Sequence, residues 1–248
     1  MEKNPLVSVV MPVFNSSHTI ANAIMSIVNQ TYQNWELIIV DDGSEDIDEL
    51  EKKIMQFNDD RIRFIRSSHQ GVVATRMTGY KAAGGELLAV QDADDLSLPD
   101  RLEKAINHFE EHPKTDVFSH TIYTHFWHPG FECIVRDYRK IQNEVDKERL
   151  LTEQYIPGFP IFKKHVIEIC PLREETKHIY DWSFLLDWVF HGFRFGFTDE
   201  ALYEYIRHQN SLSERNEKEG RRHESLLKMK DIMKEEYNVE FKPKDWEV

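Results

Sequence analysis

Four times within residues 1–115 the chain runs from an apolar stretch into an amphipathic one. Residues 7–13 are apolar but for Ser8, as a strand covered on both faces must be. Ser16 or Ser17 can cap the segment that follows, in which Ile20, Ile24, Ile27 and Val28 fall on one helical face. A second strand at 35–40 stops at Asp41-Asp42-Gly43-Ser44, and Ile47, Leu50, Ile54 and Phe57 mark the helix after it. A third strand at 62–65 leads to a helix over 71–83 that Gly84-Gly85 ends. The fourth, 87–90, runs into Gln91-Asp92-Ala93-Asp94-Asp95, and Pro99 opens a helix that finishes near His112-Pro113. Such a succession predicts an α/β fold with a mostly parallel, Rossmann-like sheet flanked by helices. Ligands of these sheets bind beyond the carboxyl ends of the strands, and two of the strands end there in acidic clusters.

Past residue 115 the rhythm changes. Strand patterns at 116–123, 131–136, 193–197 and 202–206 alternate with short helices at 164–169 and 181–190, which predicts a smaller mixed α+β region. From residue 217 the chain is strongly charged, with Leu226, Leu227, Met229, Ile232 and Met233 giving a partly amphipathic helix. The expected divisions are 1–115, 116–215 and 216–248, packed as one unit.

Lys and Arg number 31 against 44 Asp and Glu, a formal charge of −13, which argues against nucleic acid as the main partner. A hydrophobic fraction of 40% excludes a disordered chain. Two cysteines, Cys133 and Cys170, exclude a disulfide scaffold and a Cys-based zinc site. No signal-peptide pattern is present, and no apolar run approaches the ~20 residues of a membrane span. The expectation is a cytoplasmic protein, with peripheral contact at the inner face of the membrane left open.

Carboxylates at the end of a buried strand are costly unless they bind a cation or accept hydrogen bonds. Asp92, Asp94 and Asp95 offer several oxygens, the ligands that Mg²⁺ and Mn²⁺ favour when they bridge carboxylates to a diphosphate. The plainer alternative is a solvated turn capping the helix at Pro99. The position after buried Leu-Leu-Ala-Val, in register with Asp41-Asp42, favours a site.

These motifs carry a resemblance. Residues 7–15 (VSVVMPVFN), Asp41-Asp42-Gly43-Ser44, residues 71–76 (GVVATR), Gln91-Asp92-Ala93-Asp94-Asp95 with Pro99-Asp100-Arg101-Leu102, Tyr180-Asp181-Trp182 and residues 205–213 (YIRHQNSLS) follow in order. The chain resembles an inverting family 2 glycosyltransferase of the GT-A fold. That resemblance implies a nucleotide-sugar donor half in 1–115, an acceptor-binding and catalytic half in 116–215, and a divalent cation, Mn²⁺ or Mg²⁺. Pro12 and Phe14 would shape the base pocket, and Asp41 or Asp42 would bond the base or ribose, with Asp42 favoured for the base. Arg76 would contact base or phosphates, and Asp92 and Ala93 would face the ribose and the metal shell. Asp94 would ligate the metal, His208 would complete that site or touch the diphosphate, and Asp181 would be the general base. The implied partners are a UDP-sugar donor and a glycan or lipid-linked glycan acceptor, in surface or exported polysaccharide synthesis.

Two positions depart from the family pattern: Met77 where Asn is common, and Tyr180 where Glu usually precedes the catalytic Asp. Asp187 therefore competes with Asp181, and Trp182 is a candidate to line an acceptor sugar. No Arg-Trp pair of the processive members occurs, which favours addition of a single sugar. A catalytically silent nucleotide-sugar-binding protein and a sugar-phosphate nucleotidyltransferase stay open as alternatives. The second lacks a basic Gly-rich cradle after the first strand, where Asn15-Ser16-Ser17-His18 stands.

Overall fold

The structure is a computed structural model that describes residues 4–128, 131–137, 144–207, 216 and 220–244. Strand β1 (Val7–Val13) lies between β2 (Trp35–Asp42) and β4 (Leu87–Val90), with β3 (Ile62–Ser67) outside β2, all parallel. Beyond β4 the same sheet runs antiparallel into β8 (Ile161–Lys163) and β6 (Val117–His128), then through β9 (Phe195–Arg207) to the two-residue β5 (Leu96–Ser97), while β7 (Phe131–Asp137) pairs with β6. Both parts of the chain thus contribute strands to one sheet.

Alternation along the strands sends side chains to two apolar layers. Val9, Met11, Leu37, Ile39 and Ala89 pack under α1 (Ile20–Val28), α2 (Ile47–Met55) and α4 (Arg101–Glu111). Val10, Ile38, Val40, Leu88 and Phe162 pack on the other side under α3 (Val72–Ala82), α6 (Lys164–Ile169), α7 (Tyr180–His191) and α8 (Arg221–Tyr237). Helix α3 can come close to β1 because residue 79 is glycine, where a β-carbon would fall 2.4 Å from Val10 Cγ1. A short α5 (Lys147–Leu150) precedes the loop that crosses the front of α7, its first turn capped by the Asp146 side chain accepting from Arg149 N–H.

The four βα units stand where the sequence puts them. The two strands expected at 193–197 and 202–206 are one, because a register shift opposite His120–Ile122 absorbs the polar Asp199-Glu200 pair. The pattern misses β5, β8 and α5, which have two to four residues each, too few for a periodicity. No helix among the described residues is long and apolar enough to cross a membrane.

Helix α8 docks through Leu226, Met229 and Met233. The Arg173 guanidinium forks between Asp187, at 2.7 and 3.1 Å, and Glu236, and Tyr237 OH donates to Asp187 at 2.9 Å. Asp187 is buried in this clamp between α7 and α8 and so is a structural ion-pair partner. Glu174 and Glu175 are exposed at the start of a 3₁₀ helix, Glu174–Ile179, that leads into α7.

Candidate active site

Because β1 is central, its end carries Pro12 and Phe14 between the ends of β2 and β4. Both are half-buried. The Asp41 carboxylate accepts from the N–H groups of Gly43 and Ser44, closing the turn after β2. That of Asp42 accepts from Gln70 N–H at 2.7 Å and Gly71 N–H at 3.0 Å, at the start of α3. His69 Nδ1 also lies 3.0 Å from Asp42 Oδ2, and its ring packs against Phe14, tilted by 34° with centroids 4.6 Å apart. The imidazole is 62% exposed, so the aromatic wall at the end of β1 has two rings.

The turn after β4 is anchored by buried polar bonds. Gln91 donates to the carbonyls of Asp92 and Asp95. Arg101, fully buried on α4, donates to Val90 O, Phe159 O, Ser97 Oγ and His120 Nε2 at 2.8–3.2 Å. Burial brings its pKa down to about 10. Asp95 is buried, its Oδ1 accepts Ile206 N–H at 2.8 Å, and its Oδ2 has no hydrogen-bond partner. Burial, then the charges of Asp94 and Asp92, hold this carboxyl well above the usual range. Asp92 takes its backbone N–H to Tyr203 OH and its carboxylate to Arg76, and burial raises its pKa against the pull of Arg76. Ala93 turns its methyl into the apolar layer under β1, so only its backbone is available to a ligand.

Helix α7 brings the remaining residues to this turn. Tyr180 OH accepts from Arg76 Nη2 at 3.2 Å, and the charge of Asp181 contributes to the raised pKa of Asp92. Asp181 is half-buried, and Gln154 donates to its Oδ2 at 2.8 Å. Trp182 does not line the cleft. It is buried, donates from Nε1 to Leu150 O and packs on Phe241, because the next residue of a helix points about 100° away from Asp181. His208 lies outside the described residues, two beyond the Ile206 N–H that Asp95 holds.

The chemistry of the turn suits a hard divalent cation. Asp92, Asp94 and Asp95 each offer an oxygen, all within 4.8 Å of one another, and a cation would supply the buried Asp95 Oδ2 with the partner it lacks. The Asp94 charge adds to what raises Asp92 and Asp95, and a divalent charge relieves such repulsion.

Residues 8–168 match the model of the family described as Glycosyl transferase family 2. The chain belongs to that family. This family 2 chain is 39% identical over 103 residues to the Escherichia coli UDP-Glc:alpha-D-GlcNAc-diphosphoundecaprenol beta-1,3-glucosyltransferase WfgD, covering 41% of the chain and 40% of WfgD. It is 29% identical over 226 residues to EpsH of Bacillus subtilis (strain 168), covering 87% of the chain and 65% of EpsH. The chain thus spans less than two thirds of the length of either relative. In fold it is similar to S. aureus TarS 1-349 in complex with UDP-GlcNAc, with a TM-score of 0.73 at 18% identity over 92% of this chain and 66% of that one. It is also similar to the mannosyltransferase PcManGT from Pyrobaculum calidifontis in complex with GDP-Man and Mn2+, with a TM-score of 0.68 at 17% identity over 92% of this chain and 64% of that one. The fold is GT-A. The matched span ends before Asp181, so α7 rests on geometry.

The sequence reading assigned no role to His69, Arg101, His120, Gln154, Gly158 or Tyr203. Arg101 alone left a signal, a basic residue in line with Leu102, Ala105 and Phe109 on the buried face of α4. The others come to the site from loops and a distant strand.

Proposed function

We propose that this family 2 chain moves one sugar from a UDP-sugar to an acceptor hydroxyl with inversion, in the synthesis of a surface or exported polysaccharide. The observation that carries the reading is the cluster of Asp92, Asp94 and Asp95 oxygens at the carboxyl end of β4, tied through Arg76 to Tyr180, the neighbour of Asp181. Residues 1–115 are then the donor half and 116–215 the acceptor half, with 216–248 buttressing α7.

Phe14 and Pro12 form the wall for the base, with Asp41 and Asp42 at its edge. Asp94, with Asp92 and Asp95, would hold Mn²⁺ or Mg²⁺, and His208 joins that set by resemblance. Such an ion, when bound, offsets the negative charge that a departing diphosphate gains. Arg76 supplies a fixed positive charge beside Asp92. Asp181, oriented by Gln154, takes the proton of the acceptor hydroxyl as it attacks from the face opposite the leaving group. One displacement without a covalent intermediate inverts the anomeric centre. WfgD is named for a UDP-Glc donor and a diphosphoundecaprenol-linked acceptor, and a TarS structure holds UDP-GlcNAc, which supports a UDP-sugar and a lipid-linked acceptor met at the inner face of the membrane.

The test is thermal stability with nucleoside diphosphates, with and without Mn²⁺, paired with sugar transfer. UDP with Mn²⁺ raises the melting temperature more than either alone, by mass action. Asp181→Asn keeps that rise and loses transfer by about 10²–10⁴-fold. A larger rise with GDP overturns the UDP assignment, and equal transfer by Asp181→Asn removes Asp181 from its role.

A further inference from the structure

Arg76 is the cation at the centre of the site, 1% exposed and reaching from α3 toward the carboxylates after β4. A guanidinium carries five N–H donors. Here one nitrogen makes both bonds that leave the helix: Nη2 donates to Asp92 Oδ1 and to Tyr180 OH. Nε and Nη1 are buried without a partner. The direction of the group is therefore fixed by two acceptors on two different elements, the turn after β4 and the first residue of α7. Tyr80, one turn along α3, also faces the guanidinium but belongs to the helix of Arg76 itself, so it ties Arg76 to neither of these elements.

The second acceptor is a phenol. Its ring also lies beneath the guanidinium, with Arg76 Cζ 5.2 Å from the ring centroid. Burial pushes the hydroxyl well above the ordinary phenol range, so it accepts as a neutral group. Neutrality matters at this position, because the Asp92 carboxylate that Arg76 holds already feels the charges of Asp94 and Asp181. A carboxylate in the same place would add a further negative charge, while a phenol orients Arg76 and adds none. Tyr180 is joined by one peptide bond to Asp181, so the hydroxyl that anchors Arg76 also anchors the start of α7.

We propose that Tyr180 is a positioning residue: by holding Arg76 on Asp92 it locks the donor-side acidic turn to Asp181 on the acceptor side. The proposal rests on the glycosyltransferase reading, and it has a readout that does not need turnover.

The experiment is a double-mutant cycle on the full chain, with Tyr180→Phe and Arg76→Met made singly and together, the kinetics measured with Mn²⁺ and UDP-sugar, and a crystal structure of Tyr180→Phe. Tyr180→Phe keeps the ring and its packing. It lowers kcat about tenfold, the size of effect typical of residues that orient a site through a neighbour, with little change in donor KM. In the Arg76→Met background the same change costs less than about twofold, since a residue acting through Arg76 has nothing left to act on. If Arg76→Met does not fold, Arg76→Lys takes its place. In the crystal, the guanidinium of Tyr180→Phe has left Asp92. Parental kcat in Tyr180→Phe, an equal loss in both backgrounds, or an unmoved Arg76 in the crystal overturns the proposal. Absence of transfer by the parent overturns the glycosyltransferase reading instead, and the position of Arg76 in the crystal then decides the role of Tyr180.

Discussion

Gly158 lies so close to Asp181 that a β-carbon on residue 158 would come within 2.7 Å of the Asp181 β-carbon and 3.4 Å of its Oδ2. The loop of 151–160 therefore sets the position of the carboxylate from one side, with Gln154 bonding it and Gly158 leaving it room. Gly158→Ala must push the helix start or the loop by several tenths of an ångström. Displacements of about 1 Å can cost on the order of 10² in rate. The expected outcome is a loss of kcat of about tenfold or more with UDP binding retained, read from initial rates and from the nucleotide-induced melting shift.

The acidic turn predicts its own response to metal. Asp94→Ala removes one of three mutually repelling carboxylates, so in EDTA the variant melts no lower than the parent. Mn²⁺ at about a hundredfold excess over its Kd stabilises the parent by about 2.7 kcal/mol and the variant by far less. Differential scanning calorimetry with and without Mn²⁺ checks both statements.

His120 gives a pH dependence with a definite sign. Its Nε2 accepts from Arg101 and its Nδ1 faces Thr121 O, the pattern of a neutral ring. Burial, then the Arg101 charge, brings its pKa from 6.5 down to about 3. Between these values the unfolded chain binds a proton that the folded chain refuses, so stability falls as pH drops from 6.5 toward 3, by up to about 1.4 kcal/mol per pH unit. His120→Asn lacks this contribution, and its urea midpoint declines less steeply than the parent's over that window.

Removing the partner of a buried charge is the costly half of an ion pair. Arg173→Met leaves Asp187 buried with Tyr237 alone, and the expected destabilisation is about 3 kcal/mol. Thermal melting reads this as a fall of roughly 6–12 °C.

The part of the fold that sequence pattern reveals is the part where one period persists. In β1 through α4, burial of both sheet faces leaves uninterrupted apolar strands and 3.6-residue stripes, and Asp41, Asp42, Asp92 and Asp94 announce themselves as charges at strand ends. Later elements are short, or are interrupted as β9 is at its register shift, and a period cannot form. The site itself splits the same way. Motif residues on β1, β2 and β4 are recognisable locally, but His69, Gln154 and Gly158 matter only because loops fold back on Asp42 and Asp181. Trp182 is instructive in the opposite direction: adjacency to Asp181 suggested a sugar platform, and helical geometry sends it to the core.

That inward turn of Trp182 ties the far end of the chain to turnover. The indole is wedged between Phe241 and Leu150 O, with the Arg222 guanidinium 5.9 Å from its ring centroid. Arg222 opens α8 and Phe241 follows it, so the closing helix serves as a strut behind the start of α7 and Asp181. A substitution on the buried face of α8, at Leu226 or Met229, therefore reaches the far side of the fold and shifts the backbone that carries Asp181.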